Sequence, residues 1–357
     1  MEIRLTIQVI ATLAIGYIGS LLANAAGLPA GAIIGSAFAV SLASFFRFPC
    51  HIPNWLRNTG FAAIGCSLGS GVNTDFLDLV NKWPLSLLGL TVAMVLIFIV
   101  TSWLIVHFFG LSWETAILAT SPGALSCSLA MAAEGIGDAQ AIIVIQSFRL
   151  LAVTISLPLI IDIFDLPSGL EVNTIQTFLS MPVTAGLFLL TLIIGFLLNK
   201  LSIPASFLIS GILISGILHF QGLISGKPPN SLLFIGFIIT GSVLGSRFSR
   251  IPLINLKQMV SSSMTVFVVA TLIATLLAWF SANLLDLPFG QVWISYAPGG
   301  VEAMAAMAIA LGYDTAFVAT HHLYRIVLLL LMLPIFIRLF NKASLKNICK
   351  QNTNIES

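Results

Sequence analysis

Charge is what this chain has least of. Of its 357 residues only 8% are Asp, Glu, Lys or Arg, against roughly 25% in soluble domains. A chain this poor in charge cannot clothe a water-facing surface, which excludes a soluble globular enzyme. Its formal net charge is only +2, and no basic patch is large enough to track phosphates, so no nucleic-acid partner is expected. Cysteine is scarce: Cys50, Cys66, Cys127 and Cys349 have no metal-like spacing and read as free thiols. Neither His-x-x-x-His nor Cys-x-x-Cys occurs. A catalytic copper or iron centre therefore lacks its ligands, and no metal or cofactor is expected.

Hydrophobic residues make up 58% of the chain, and the mean hydropathy is +1.06. Apolar runs of about 20 residues recur, which calls for an all-α polytopic membrane protein in a lipid bilayer. The first run covers 5–26 and the second 29–46, opened by Pro29. A short small-residue helix is expected at 54–70, a long one at 84–109, a broken segment at 113–134 and a last helix at 139–164. The second half repeats this order at 177–199, 204–224, 230–247, 259–284, 291–311 and 315–340. The only linker candidate is 165–174. The organisation expected is a first membrane repeat over 1–165, a second over 174–340 and a polar cytoplasmic tail over 341–357. Arg4, the first apolar run and Ala23-Asn24-Ala25 mimic a signal peptide, but a helix with a counterpart deep in the chain is expected to be retained.

The repeat rests on arithmetic. Pro298 minus Pro122 is 176, and the same offset relates Asn230 to Asn54, Gly241 to Gly65, Gly245 to Gly69, Asp314 to Asp138, Arg325 to Arg149 and Pro334 to Pro158. A gapless offset that joins Pro, Gly, Asp and Arg marks a duplication.

Each half holds five clear helices and a broken segment. If that segment crosses the bilayer the halves are parallel; if it turns back they are inverted. Basic residues favour inversion. With the N-terminus in the cytoplasm, only Lys82 and Lys227 fall outside, whereas parallel halves would put Lys82, Lys200, Arg247, Arg250 and Lys257 outside. The expected fold is therefore two inverted repeats of about five transmembrane helices, each with a broken re-entrant helical hairpin, and with both termini cytoplasmic.

Ser121-Pro122-Gly123-Ala124 and Ala297-Pro298-Gly299-Gly300 supply the breaks. Pro lacks the amide donor and Gly unwinds easily. Inside lipid such breaks are costly unless protein or water satisfies the freed groups, and paired breaks are the sequence pointer to a carrier's binding site. The half-helix after each break presents free amides and a positive dipole end, suited to a carboxylate. Ser121, Ser126 and Ser128 add hydroxyls in the first copy, and Glu302 replaces Ser126 in the second. Glu302 either caps its helix or takes up a proton or sodium ion.

Arg149 and Arg325 lie about ten residues into the last helix of each half. A cation at that depth costs at least about 2.5 kcal/mol on insertion scales. Two readings stand side by side: a clamp on the carbonyl ends of the hairpin, and recognition of an anionic substrate by a planar fork. His321 and His322 sit one turn before Arg325, with Gln146 at the position equivalent to His322. They are candidates for ion coupling or for hydrogen-bonded structural roles. Asp138 and Asp314 read as helix N-caps.

Ser121-Pro122-Gly123-Ala124-Leu125-Ser126 with Arg149 and Pro158, and Ala297-Pro298-Gly299-Gly300-Val301-Glu302-Ala303-Met304 with Arg325 and Pro334, resemble the bacterial AbrB-type membrane family. The likeness covers nearly the whole chain. It implies a duplicated domain in the bacterial inner (cytoplasmic) membrane, in a family whose members carry labels such as regulator of gene expression and ammonia monooxygenase. The name is shared with an unrelated soluble DNA-binding regulator. Members usually carry two glycines in both copies; here the first reads Gly123-Ala124, so the two hairpins need not be equivalent. The layout is also similar, at the level of architecture alone, to citrate and glutamate carriers.

The leading expectation is a non-enzymatic secondary transporter of a small anionic or zwitterionic metabolite, coupled to H⁺ or Na⁺. Ser121, Pro122, Gly123, Ala124, Ser126, Arg149, Pro298, Gly299, Gly300 and Arg325 would bind the substrate, with Glu302, His321 and His322 in ion coupling. A membrane sensor or regulator is the alternative, and an ammonia monooxygenase-like oxidoreductase the least supported. The architecture is compatible with a homodimer.

Overall fold

A computed structural model describes residues 2–28, 30–71, 83–121, 128–129, 131–132, 135–163, 177–201, 203, 205–251 and 253–353. Among the described residues the chain is helical apart from one parallel backbone bridge, Phe178 to Lys227. Helix α1 covers Glu2–Ala25, α2 Gly31–Phe45, α3 Asn54–Gly69 and α4 Trp83–Phe109. The half-helix α5 covers Trp113–Thr120, and α6 Ala139–Ile163. In the second half, α7 covers Met181–Lys200, α8 Ser206–Phe220 and α9 Asn230–Ser246, which runs on into a 3₁₀ turn at Arg247–Arg250. Then come α10 (Leu253–Leu285), the half-helices α11 (Phe289–Tyr296) and α12 (Val301–Ala310), and α13 (Thr315–Thr353).

Seven of these helices are long and apolar enough to cross a membrane. Ile7, Ile10, Ile18 and Leu22 of α1, Leu189, Ile193, Phe196 and Leu197 of α7, and Leu272, Leu276, Trp279 and Phe280 of α10 are exposed. Apolar bands of that extent are untenable in water and ordinary against acyl chains. The protein is an all-α polytopic membrane protein.

Most expected boundaries fall within a few residues of the observed ones, and three differ. Helix α7 starts at Met181 rather than 177, because 177–179 is drawn into the bridge: the Leu179 amide donates to the Lys227 carbonyl and the Lys227 amide to that of Thr177, each at 2.9 Å. Helix α10 begins at Leu253, six residues before the expected start at 259, directly after the helix-breaking Pro252. The polar stretch after 340 continues α13 to Thr353; it contains neither Pro nor Gly to end the backbone ladder. The expected linker, 165–174, lies outside the described residues.

The helices sort into two bundles. In one, α1, α2, α3, α7, α8 and α9 pack chiefly on one another; in the other, α4, α5, α6, α10, α11, α12 and α13 do so. The first bundle is built on small residues that let backbones touch. Gly65 of α3 meets Leu208 and Gly211 of α8, and Gly69, one turn on, meets Ile212, Ser215 and Gly216. These two helices therefore run in the same direction. Helices α2 and α9 do likewise: Gly241 meets Ile33 and Ser36, and Gly245 meets Ala37, Val40 and Ser41. Each half thus lends its second helix to the third helix of the other half.

In the second bundle α4 and α13 also run the same way. Along them Trp83 meets Phe317 with ring centroids 6.3 Å apart, Thr91 meets Tyr324 at 2.8 Å and Phe98 meets Phe336 at 5.5 Å. Contact between the bundles is sparser and falls on the site: α12 and α13 touch α3, and α9 and its 3₁₀ turn touch α6 and α12.

Candidate functional site

Two hairpins organise the second bundle. In the second copy, α11 ends where the Ala297 amide bonds to the Trp293 carbonyl at 2.8 Å, and Pro298-Gly299-Gly300 breaks the ladder. Helix α12 begins with the Met304 amide on the Gly300 carbonyl at 2.9 Å and has no side-chain cap. The amides of Val301, Glu302 and Ala303 precede that first helical bond and are free of it. The chain then doubles back: the Asp314 amide donates to Gln291 Oε1 at 3.3 Å, so the exit from α12 lies beside the start of α11. The first copy closes the same way, with the Asp138 amide on Thr115 Oγ1 at 2.9 Å. Pro122, Gly123, Ala124 and Ser126 lie outside the described residues.

Both arginines are fully buried and grip the breaks. Arg149 Nη1 donates to the Thr120 carbonyl at 2.7 Å and Nη2 to that of Ser121 at 3.0 Å. Arg325 Nη1 donates to the Ala297 carbonyl at 2.6 Å and Nη2 to that of Gly299 at 2.8 Å. These carbonyls are the ones a helix interruption leaves without amide partners, and a planar fork spans two of them at once. The Nε–H of each arginine has no partner among the described residues. The two guanidinium groups lie within electrostatic reach of each other, and Gly300 sits against Leu150, the neighbour of Arg149. The arrangement brings the two arginines and the second break to one place.

Around the first break, Gln146 Nε2 donates to the Leu118 carbonyl at 2.6 Å and lies 3.2 Å from both Ser121 Oγ and Ser128 Oγ. The two serine hydroxyls are 2.9 Å apart. His322, at the equivalent position, is fully buried and faces the Ile294 carbonyl without closing a bond; neither ring nitrogen has a partner. His321 points elsewhere. Its Nδ1–H donates to the Phe317 carbonyl at 2.8 Å, which leaves Nε2 to accept from Ser86 Oγ at 2.8 Å. Tyr296 OH extends this network to the Ser86 carbonyl at 2.5 Å and Ser281 Oγ at 3.0 Å. The histidines are adjacent in sequence but serve different neighbourhoods.

Asp138 and Asp314 are helix caps. Asp138 Oδ1 accepts from the Gln140 amide at 2.8 Å; Asp314 Oδ1 accepts from Ala316 at 2.9 Å and Phe317 at 3.1 Å. Burial pushes the Asp314 carboxyl above the ordinary carboxylate range, and the two amides pull it back. Glu302 is in the first turn of α12 but closes no cap. It lies within charge reach of Arg325 and of Arg247, at the end of α9.

Arg247 is the group the sequence reading missed, having been counted only as a basic loop residue. A signal was present: by the 176 offset Arg247 corresponds to Gly71 and Glu302 to Ser126, so both charges occur in one copy only. Among the described residues no three His, Cys, Asp or Glu side chains gather as metal ligands. A cavity of about 610 Å³ opens at the seam between the bundles, lined by Asn24 and Gly31, by Asn230 and Phe237, and by Ile309 and Ala310 at the end of α12.

Comparison with known proteins identifies the family. Residues 32–341 match the model of the AbrB family, described as "Transition state regulatory protein AbrB". The chain is 24% identical over 317 residues to the "Putative regulator AbrB" of Escherichia coli (strain K12), covering 87% of this chain and 90% of that protein. It is 23% identical over 363 residues to the "Uncharacterized protein YhjN" of Bacillus subtilis (strain 168), covering 92% of each. With the family pattern running through both hairpins and both buried arginines, the chain belongs to the AbrB family.

Proposed function

We propose that the protein is a secondary transporter, without a chemical step of its own, that moves a small anionic or zwitterionic metabolite across the bacterial inner membrane in exchange for an H⁺ or Na⁺ gradient. One observation carries this reading: a broken helix whose carbonyls are gripped by a fully buried arginine, and whose following half-helix starts with free amides at the seam of two bundles. Broken helices are tolerated at membrane depth where they are buried in protein or line a cavity, and their amino ends suit negatively charged groups. Arg149 and Arg325 act first as clamps that hold each break open, which leaves the Nε–H and the second hydrogen on each Nη for a ligand.

The same-direction packing of α3 with α8 and of α2 with α9 supports inverted halves. Odd-numbered crossings in the first half then match even-numbered crossings in the second, and each hairpin re-enters from its own side. With basic residues inside, both termini are cytoplasmic. The cavity beside the end of α12 suits an entrance on the opposite face.

Counterflow in proteoliposomes tests the reading. Preloaded protein should accumulate at least one labelled compound from a panel of organic acids and amino acids, and an imposed proton or sodium gradient should alter the rate. Absence of counterflow across the panel would count against it. The relative named as a regulator motivates a second reading, a membrane sensor; tight ligand binding without flux would favour that.

A further inference from the structure

Two charges break the repeat, and the fold brings them toward each other. Glu302 stands on the hairpin bundle, in the first turn of α12. Arg247 stands on the other bundle, in the 3₁₀ turn that ends α9. That turn is anchored at the seam, because Phe248 and Ile251 pack on Val144 of α6, and α9 itself packs on α12. Arg247 and Glu302 lie within charge reach, yet no ion pair forms between them. Arg247 Nη1 is buried and has no hydrogen-bond partner among the described residues. The nearby Arg57 is engaged locally, with Nε and Nη2 on Asn58 Oδ1 at 3.2 and 3.1 Å.

An uncapped carboxylate and an unpaired guanidinium on opposite walls of a seam are incomplete separately. A simple carboxylate ligand would complete Arg247 and repel Glu302; a simple cation would do the reverse. A ligand with both charges completes both walls and adds no net charge to the seam. We propose that the substrate is a zwitterionic amino acid held across the seam, its carboxylate on Arg247 and the free amides of Val301 and Ala303, its ammonium on Glu302. Such a ligand bridges the two bundles, so its binding is tied to their relative position. The proposal rests on the carrier reading and narrows its substrate class.

The test is ligand-dependent thermal unfolding of the purified full-length protein with matched trios: an L-amino acid, its deaminated acid and its decarboxylated amine, such as L-alanine, propionate and ethylamine. At least one amino acid should raise Tm by about 3 °C or more at saturation, while its two analogues leave Tm unchanged. Glu302→Gln should erase the preference for the amino acid over the deaminated acid. Arg247→Gln should weaken amino-acid binding at least about tenfold, a loss of about 1.4 kcal/mol, with partial recovery in Arg247→Lys. The proposal is overturned if no trio member binds, if the acid binds as well as the amino acid, or if Glu302→Gln leaves the preference intact. Counterflow of simple acids alone would overturn it and spare the carrier reading. Amino-acid binding without flux would do the opposite.

Discussion

Arg325 shows how a costly residue becomes a structural necessity. Its two Nη groups satisfy two carbonyls that lipid cannot, and hydrogen bonds to charged groups contribute about 1.5–3 kcal/mol each. Arg325→Ala should therefore lower unfolding stability by about 3 kcal/mol or more in a denaturation series, and Arg325→Lys should recover only part, since an ammonium is not a two-pronged fork. Unchanged stability in Arg325→Ala would refute the clamp. His322 gives the converse case. Its ring faces the Ile294 carbonyl without a bond, whereas Gln146 reaches the equivalent Leu118 carbonyl at 2.6 Å. His322→Gln should raise stability by about 1 kcal/mol, seen as a higher Tm; a fall would mean the imidazole has a role that side-chain reach does not capture. Both arginines were legible in the sequence, because a charge recurring at a fixed offset inside apolar runs has few explanations. Their carbonyl partners were legible only as one of two alternatives, since a guanidinium fits a carbonyl pair and a carboxylate equally well.

At the scale of elements, small residues decide which helices meet. A Cβ at Gly65 would collide with the Leu208 carbonyl of α8, a backbone atom that cannot swing aside. Gly65→Ala should cost about 1–3 kcal/mol and reduce the yield of folded protein in size-exclusion chromatography, whereas Gly186→Ala on α7, where a Cβ meets nothing within 4 Å, should not. Equal behaviour of the two variants would contradict the close α3–α8 approach. The Gly65-Cys66-Ser67-Leu68-Gly69 stripe announced a tight contact from sequence, but a stripe does not name its partner. The structure supplies α8, with α12 of the second hairpin also touching α3, and gives α9 the same relation to α2. The hairpins were legible through Pro-Gly, whose chemistry is local. The nearness of Arg247 to Glu302 was not, because it joins elements 55 positions apart through packing that no local signal encodes.

For the whole molecule, orientation can be read by single-cysteine labelling in intact cells and inverted vesicles. Phe48, Lys200 and Lys227 are exposed positions in separate connections. With inverted halves, cysteines at 48 and 200 should react from the cytoplasmic face and one at 227 from the other. Parallel halves would put 48 and 200 on opposite faces. Hydropathy made the membrane character plain, and the basic residues pointed to inversion, but neither disclosed the division into two bundles, which arises from contacts between distant segments.

The exchange of partners between halves, α2 with α9 and α3 with α8, means that neither half is a complete packing unit. A chain of the first half alone would keep the packing of α2 on α1 but leave α2 without α9 and α3 without α8. Separate halves would have to find each other in the bilayer before either could complete its packing. Joining them in one chain removes that search.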